Sequence, residues 1–236
     1  MSSLTVTALD GIGEVRSGDF IFPHLVTGLT ATPLELADGD VVIVTSKIVS
    51  KAEGRVVACD GSDEAKQALI ESQSRRIIRR RGTLRITETH HGFICANAGI
   101  DLSNTDSGTA VLLPLDPDKS ARRLRSDIAR ELGLDVAVVI TDTFGRTWRH
   151  GVTDIALGCA GLIPVVDLRG TTDAYGRVLE ATEVAVVDEI AGAADLVLGK
   201  STHSPIAVMR GLRRDYFGDG SIAERVARRA NDDLFR

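Results

Sequence analysis

Two short apolar runs constrain this chain most: Val41-Val42-Ile43-Val44 and Val138-Val139-Ile140. Both are β-branched throughout and neither alternates with polar residues, which is the pattern of strands buried in a core. Each run stops abruptly. Thr45-Ser46-Lys47 follows the first. Thr141-Asp142-Thr143 follows the second, and beyond it Gly145 and Gly151 flank Arg146, Trp148 and Arg149. A carboxylate and a hydroxyl where a buried strand ends, followed by a glycine-loosened loop with cations, suit a metal-phosphate site. They also suit an ordinary strand exit with Asp as turn former.

The remaining elements are predicted from periodicity and punctuation. Leu4–Leu9, Val41–Val44, Thr83–Thr89, Val111–Leu115, Leu134–Ile140 and Ile206–Met209 read as strands. Asp63–Arg81, Asp118–Leu132 and Glu183–Leu198 read as helices with Gly82, Gly133 and Gly199 as stops. Ser221-Ile222-Ala223-Glu224 fits a capping box opening a last helix toward Asn231. Read alone, this alternation suggests a doubly wound sheet.

At 236 residues the chain is long enough for a sizeable core. A mean hydropathy of +0.06 speaks against disorder. No apolar run approaches the roughly 20 residues of a membrane span, and the start lacks the marks of a signal peptide. Cys59, Cys95 and Cys159 are odd in number and far apart, which points to a reducing cytoplasm rather than a disulfide framework. A net charge of −5 disfavours nucleic acid as a partner. No Cys or His spacing matches zinc.

Chemistry-bearing residues gather between the elements. Gly11-Ile12-Gly13-Glu14-Val15 could turn backbone N–H groups toward an anion, or be a plain loop. Ser46 to Lys51 offers a hydroxyl and two lysines just past a buried strand, the parts of a phosphate cradle or of a short amphipathic helix. The small-residue run Cys95 to Gly99 leads into Asp101, Ser103 and Asn104: a carboxylate for a hard cation and an amide for a base or sugar, or an Asx-type turn. His90-His91 reads as turn or packing before acid–base chemistry. Five arginines between Arg75 and Arg81 read as the solvated end of a helix. Lys200-Ser201-Thr202 forms a polar loop. If these clusters converge, they are the equipment of phosphoryl transfer.

The longer motifs resemble the coenzyme F420:L-glutamate ligases. They stand here as D-G-D-V-V-I-V-T-S-K-I-V-S-K-A-E-G-R, H-G-F-I-C-A-N-A-G-I-D-L-S-N, V-V-I-T-D-T-F-G-R-T-W-R-H-G-V-T-D, D-L-R-G-T-T-D-A-Y-G-R and T-E-V-A-V-V-D-E-I, within Leu9 to Leu212. The resemblance implies an α+β fold with mixed sheets, packed helices and two intertwined lobes, in a homodimer. It implies one ligase domain over residues 1–236, without the nitroreductase-like domain that actinobacterial relatives often carry. It implies transfer of L-glutamate to the deazaflavin coenzyme F420 precursor, driven by GTP, with magnesium or manganese and with potassium as a further candidate. Asp101 and Asp142 match the family's metal carboxylates and catalytic pair, and Thr143 a second metal contact. Ile12, Gly13, Glu14, Val15, Ser46, Lys51 and Asn104 match positions that hold the nucleotide, as does the loop containing Lys200, Ser201 and Thr202. Lys200 departs from the amide or acid of archaeal relatives, since a protonated lysine cannot ligate a hard metal, and is assigned to phosphate. Two other readings of the same residues are a metal-dependent nucleotide phosphohydrolase or kinase and a non-catalytic coenzyme-binding module.

Overall fold

The computed structural model describes residues 3–102, 108–199, 204–228 and 230–233. In chain order the strands and helices are β1 (Thr5–Ala8), α1 (Ile21–Ala31), β2 (Val41–Thr45), α2 (Ser46–Ala52), β3 (Val56–Ala58), α3 (Asp63–Ser72), β4 (Ser74–Arg81), β5 (Leu84–Thr89), β6 (Ile94–Ala96), β7 (Thr109–Val111), α4 (Pro117–Leu132), β8 (Ala137–Gly145), β9 (Val152–Ala160), β10 (Val166–Asp167), β11 (Glu183–Val184), α5 (Val186–Leu198), β12 (Ile206–Arg210) and α6 (Ile222–Arg225).

The two apolar runs are neighbours. β2 pairs parallel with β8, Val42 opposite Val138 and Val44 opposite Ile140, at the middle of a five-stranded sheet ordered β1-β12-β2-β8-β9. The other pairings in this sheet are antiparallel, so it is mixed and the fold is α+β rather than doubly wound. Successive side chains of a strand face opposite sides, and here both sides are covered. Val41, Ile43, Ala137 and Val139 pack toward α5. Val42, Val44, Val138 and Ile140 pack toward Ala121, Leu124 and Ile128 of α4 and Leu25 of α1. Val41 to Val44 are fully buried, each contributing about 1.5–3 kcal/mol of hydrophobic stabilisation. That two-sided cover is why the runs do not alternate. Residues 55–113 leave this sheet to build the pair β3–β7 and the three-stranded sheet β4-β5-β6 before the chain returns through α4.

Several boundaries differ from the predicted ones. The helix expected over Asp63–Arg81 stops at Ser72, and the arginine-rich stretch is instead the outer strand of a hairpin with β5. Two register shifts in that hairpin let the adjacent Ile77 and Ile78 both become half-buried. They also bring Arg75 and Arg76 onto the buried Glu88, so tertiary pairing overrides helix propensity. The strand expected at Val111–Leu115 is Thr109–Val111, and Leu113 gives its carbonyl to the Arg55 side chain instead. Helix α5 begins at Val186, because Glu183 and Val184 pair with β10. Ser221 does cap Glu224 N–H, yet α6 is only four residues long. Helix α1 and the long strand β9 were not anticipated. α4 matches, ending at Gly133 in the left-handed region.

Candidate functional site

The polar clusters meet around α2. Its seven residues follow directly from the buried β2, so the sheet holds the helix start in place. Ser46, 6% exposed, hydrogen-bonds the Asp142 carboxylate. Lys47 Nζ lies 2.5 Å from Asp101 Oδ2. Lys51 Nζ lies 2.5 Å from Glu14 Oε1. One helix thereby ties β8, the turn after β6 and the Gly11–Val15 loop into one site, a convergence the sequence could not display.

Asp142 does not end its strand, as the sequence reading had it. β8 continues to Gly145, and a register shift between Ile140 and Thr141 redirects the polar half of the strand. Asp142 pairs with Ile155, while Thr143 faces Asp154 across the ladder. Burial pushes the Asp142 carboxyl up to about 7. A hydrogen bond from Thr143 N–H and the one from Ser46 oppose the shift, and the negative charges of Asp154 and Asp101 add to it. A carboxyl in this position gains from any cation that can replace its proton.

Asp154 is the residue the sequence reading missed. It is 4% exposed and accepts from Thr141 Oγ1 at 3.1 Å and Thr143 Oγ1 at 2.6 Å. It ends the same motif as Asp142, and the only signal for it was its place in a second strand antiparallel to the first. Lys47 had been noted only as one of two lysines.

Asp101 is presented by a turn in which Asn97, Ala98 and Gly99 all have positive φ, at 50°, 56° and 68°. A side chain on Gly99 would collide with Leu113. Thr87 Oγ1 accepts from Ala98 N–H, Asn97 Oδ1 accepts from Arg85 N–H, and Asp101 bridges to Val111. The small residues of C-A-N-A-G therefore build a left-handed turn beside the site.

Ile12 and Val15 are buried at 9% and 3%, so only their backbone faces outward, while Gly13 is open to solvent. The Lys51 ammonium holds the Glu14 carboxyl below its ordinary range. Asn104, Lys200, Ser201 and Thr202 lie outside the described residues. The chain just after that last loop returns to the site: Ser204 Oγ reaches Asp10 Oδ1 at 3.3 Å, and Thr45 N–H donates to Pro205 O.

Among the described residues no three His, Cys, Asp or Glu gather closely enough to enclose an ion. Two carboxylates with neighbouring hydroxyls suit magnesium or manganese, which keep waters and take the rest of their ligands from substrate phosphates. They do not suit zinc. Cys95 and Cys159 are buried and free, and burial pushes both thiols up to about 12. Beside the acidic group, Phe93, Phe144 and Ile155 line a cavity of about 290 Å³ with Asp188 in its wall. No helix among the described residues is long and apolar enough to cross a membrane.

Residues 11–211 match the family model described as F420-0:gamma-glutamyl ligase. The chain is 36% identical over 249 residues to the coenzyme F420:L-glutamate ligase of Methanothermobacter thermautotrophicus, covering 99% of each chain. It is 39% identical to that of Halobacterium salinarum, over 97% of this chain and 94% of the other. With that of Methanopyrus kandleri the identity is 37%, over 94% of both.

Proposed function

The chain belongs to the F420-0:gamma-glutamyl ligase family, which makes it a ligase of coenzyme F420 biosynthesis acting on glutamate, and we propose that GTP and a divalent cation drive its reaction through an acyl phosphate. The observation that carries this reading is the convergence on α2 of two carboxylates, Asp101 and Asp142, with two lysines and the Gly11–Val15 backbone.

A carboxylate does not condense with an amine in water until one of its oxygens becomes a leaving group. In the proposed course the terminal carboxylate of the coenzyme precursor attacks the γ-phosphorus of GTP, and the bond to the GDP oxygen breaks. The α-amine of L-glutamate then attacks the acyl carbon, inorganic phosphate leaves, and the amine gives up a proton as the amide forms. Catalysis of the first step is mostly positioning and neutralisation of charge. Lys51, Ser46 and the N–H groups of Ile12 to Val15 hold the nucleotide, with Asn104 and the Lys200–Thr202 loop as further contacts. Lys47 supplies a second cation beside Asp101. Asp101 and Asp142, with Thr143, would hold magnesium or manganese, which supplies charge neutralisation between phosphates. Thr141 and Thr143 keep Asp154 oriented behind Asp142. The apolar wall of Phe93 and Phe144 suits the flat deazaflavin ring. The exposed Trp148, Tyr175 and Leu196, at 86%, 90% and 86%, support a homodimer that covers them.

The test is incubation with GTP, magnesium or manganese, L-glutamate and the unglutamylated coenzyme, read by mass spectrometry. A gain of glutamyl units that requires both nucleotide and metal is the expected result. GTP hydrolysis without any gain would replace this reading with a phosphohydrolase.

A further inference from the structure

A second cavity, of about 260 Å³, opens on the far side of the Asn97–Gly99 turn, where Arg55, Gln73, His90, His91 and Ala98 line it. Its size suits a small metabolite rather than a coenzyme. Arg55 is half-buried, and among the described residues no carboxylate pairs with it. Its Nε donates to Leu113 O at 3.1 Å and its Nη2 to Gln73 Oε1 at 2.7 Å. The nearest acid in sequence, Glu53, is taken up by Leu115 N–H and Ser120 Oγ. A guanidinium has five N–H donors, so the fork keeps others for an anion.

His91 grips the same strap from the next residues. Its Nε2 lies 2.9 Å from Pro114 O and 3.1 Å from Leu115 O. Carbonyls only accept, so Nε2 carries the hydrogen, and in the neutral ring Nδ1 has only a lone pair to offer. That nitrogen is buried without a hydrogen-bond partner, a condition folded proteins rarely leave unmet. The cavity therefore places an unclaimed cationic donor and an unclaimed acceptor side by side. Its wall also reaches the acidic site. Ala98 stands three residues before Asp101, and the His91 ring stacks on Phe93, which meets Phe144 edge to face.

We propose that this cavity receives free L-glutamate, one carboxylate on the Arg55 fork and the ammonium on His91 Nδ1. The inference rests on the ligase reading for the identity of the amino acid. The pairing of donor with acceptor is what selects a zwitterion over an anion such as the coenzyme's own glutamyl tail, which has no free amine.

The direct test is ¹⁵N NMR of histidine-labelled protein titrated with L-glutamate, with and without magnesium and a non-hydrolysable GTP analogue. The His91 resonances are identified from the spectrum of His91→Phe, and unmodified protein gives the answer. A saturable shift of His91 Nδ1 is expected, with N-acetyl-L-glutamate, which lacks the ammonium, producing at most a weak one. No shift under either condition, or an equal shift with the acetylated compound, overturns the proposal. In the ligation assay Arg55→Gln should raise KM for L-glutamate about tenfold or more and leave KM for GTP unchanged. Unchanged KM for L-glutamate, with wild-type protein ligating normally, sinks the cavity assignment alone. Failure of wild-type protein to ligate sinks the ligase reading, and the NMR titration still decides whether the cavity takes a zwitterion.

Discussion

Asp142→Asn should stabilise the metal-free chain while removing its activity. The folded structure raises this carboxyl from an ordinary value near 3.8 to about 7. The folded state therefore holds the proton more tightly than the unfolded chain does. The resulting stability is complete below about pH 4 and is lost as pH rises through 7. A shift of that size corresponds to roughly 4 kcal/mol at full development, at about 1.4 kcal/mol per tenfold change in proton affinity. Asn is nearly isosteric, never ionises, and still accepts from Ser46 and Thr143. Against this it loses the stronger, charge-assisted form of those hydrogen bonds, so a net gain of about 1–3 kcal/mol at pH 8 is expected. For a chain of this size that is a rise in Tm of about 3–10 °C. Thermal unfolding in EDTA should show the variant above wild type at pH 8 and the difference shrinking toward pH 4–5. Magnesium should raise the wild-type Tm at pH 8 and leave the variant's unchanged. A variant less stable than wild type at pH 8 in EDTA, or a difference independent of pH, would refute the claim that burial of charge sets the behaviour of this site.

Three other outcomes are expected. Lys51→Ala should weaken GTP binding about 10–100-fold, the loss of one hydrogen-bonded charge on phosphate, and leave the coenzyme KM within about twofold; equal effects on both substrates in steady-state kinetics would remove Lys51 from the nucleotide. Gly158→Ala should cost about 3 kcal/mol or more in denaturant unfolding, because a Cβ there would overlap the Pro117 carbonyl where α4 starts against β9; near-wild-type stability would show that α4 can move away at little cost. Iodoacetamide at pH 7–8 should leave ligation intact, since Cys95 and Cys159 are buried with thiols pushed up to about 12; rapid inactivation of folded protein would reopen a thiol mechanism.

Local signals predicted some of this protein well. The start of α4 is written in Asp116 and Pro117 and its stop in Gly133, and the residues themselves act as caps. Other segments carried conflicting signals. Ser74–Arg81 is polar, arginine-rich and adjacent to a genuine helix, and only pairing with β5 and the buried Glu88 makes it a strand. β9 is a run of small apolar residues whose glycine looked like loop, yet Gly158 is there so that α4 can approach.

For the site, residue types and motif order sufficed to nominate Asp101, Asp142, Ser46 and Lys51, because phosphate chemistry needs carboxylates, hydroxyls and cations in short supply elsewhere. Roles that depend on what lies across a ladder or a helix were not legible. Asp154 is set by antiparallel register with Thr141 and Thr143, and Lys47 by the turn that carries Asp101. The sequence by itself determined that buried β-branched strands end in ionisable residues, since apolar runs and their polar exits are local facts. Tertiary structure alone decided that those exits share one helix and that Asp142 is buried among other acids, because burial and electrostatic proximity arise only when distant segments pack.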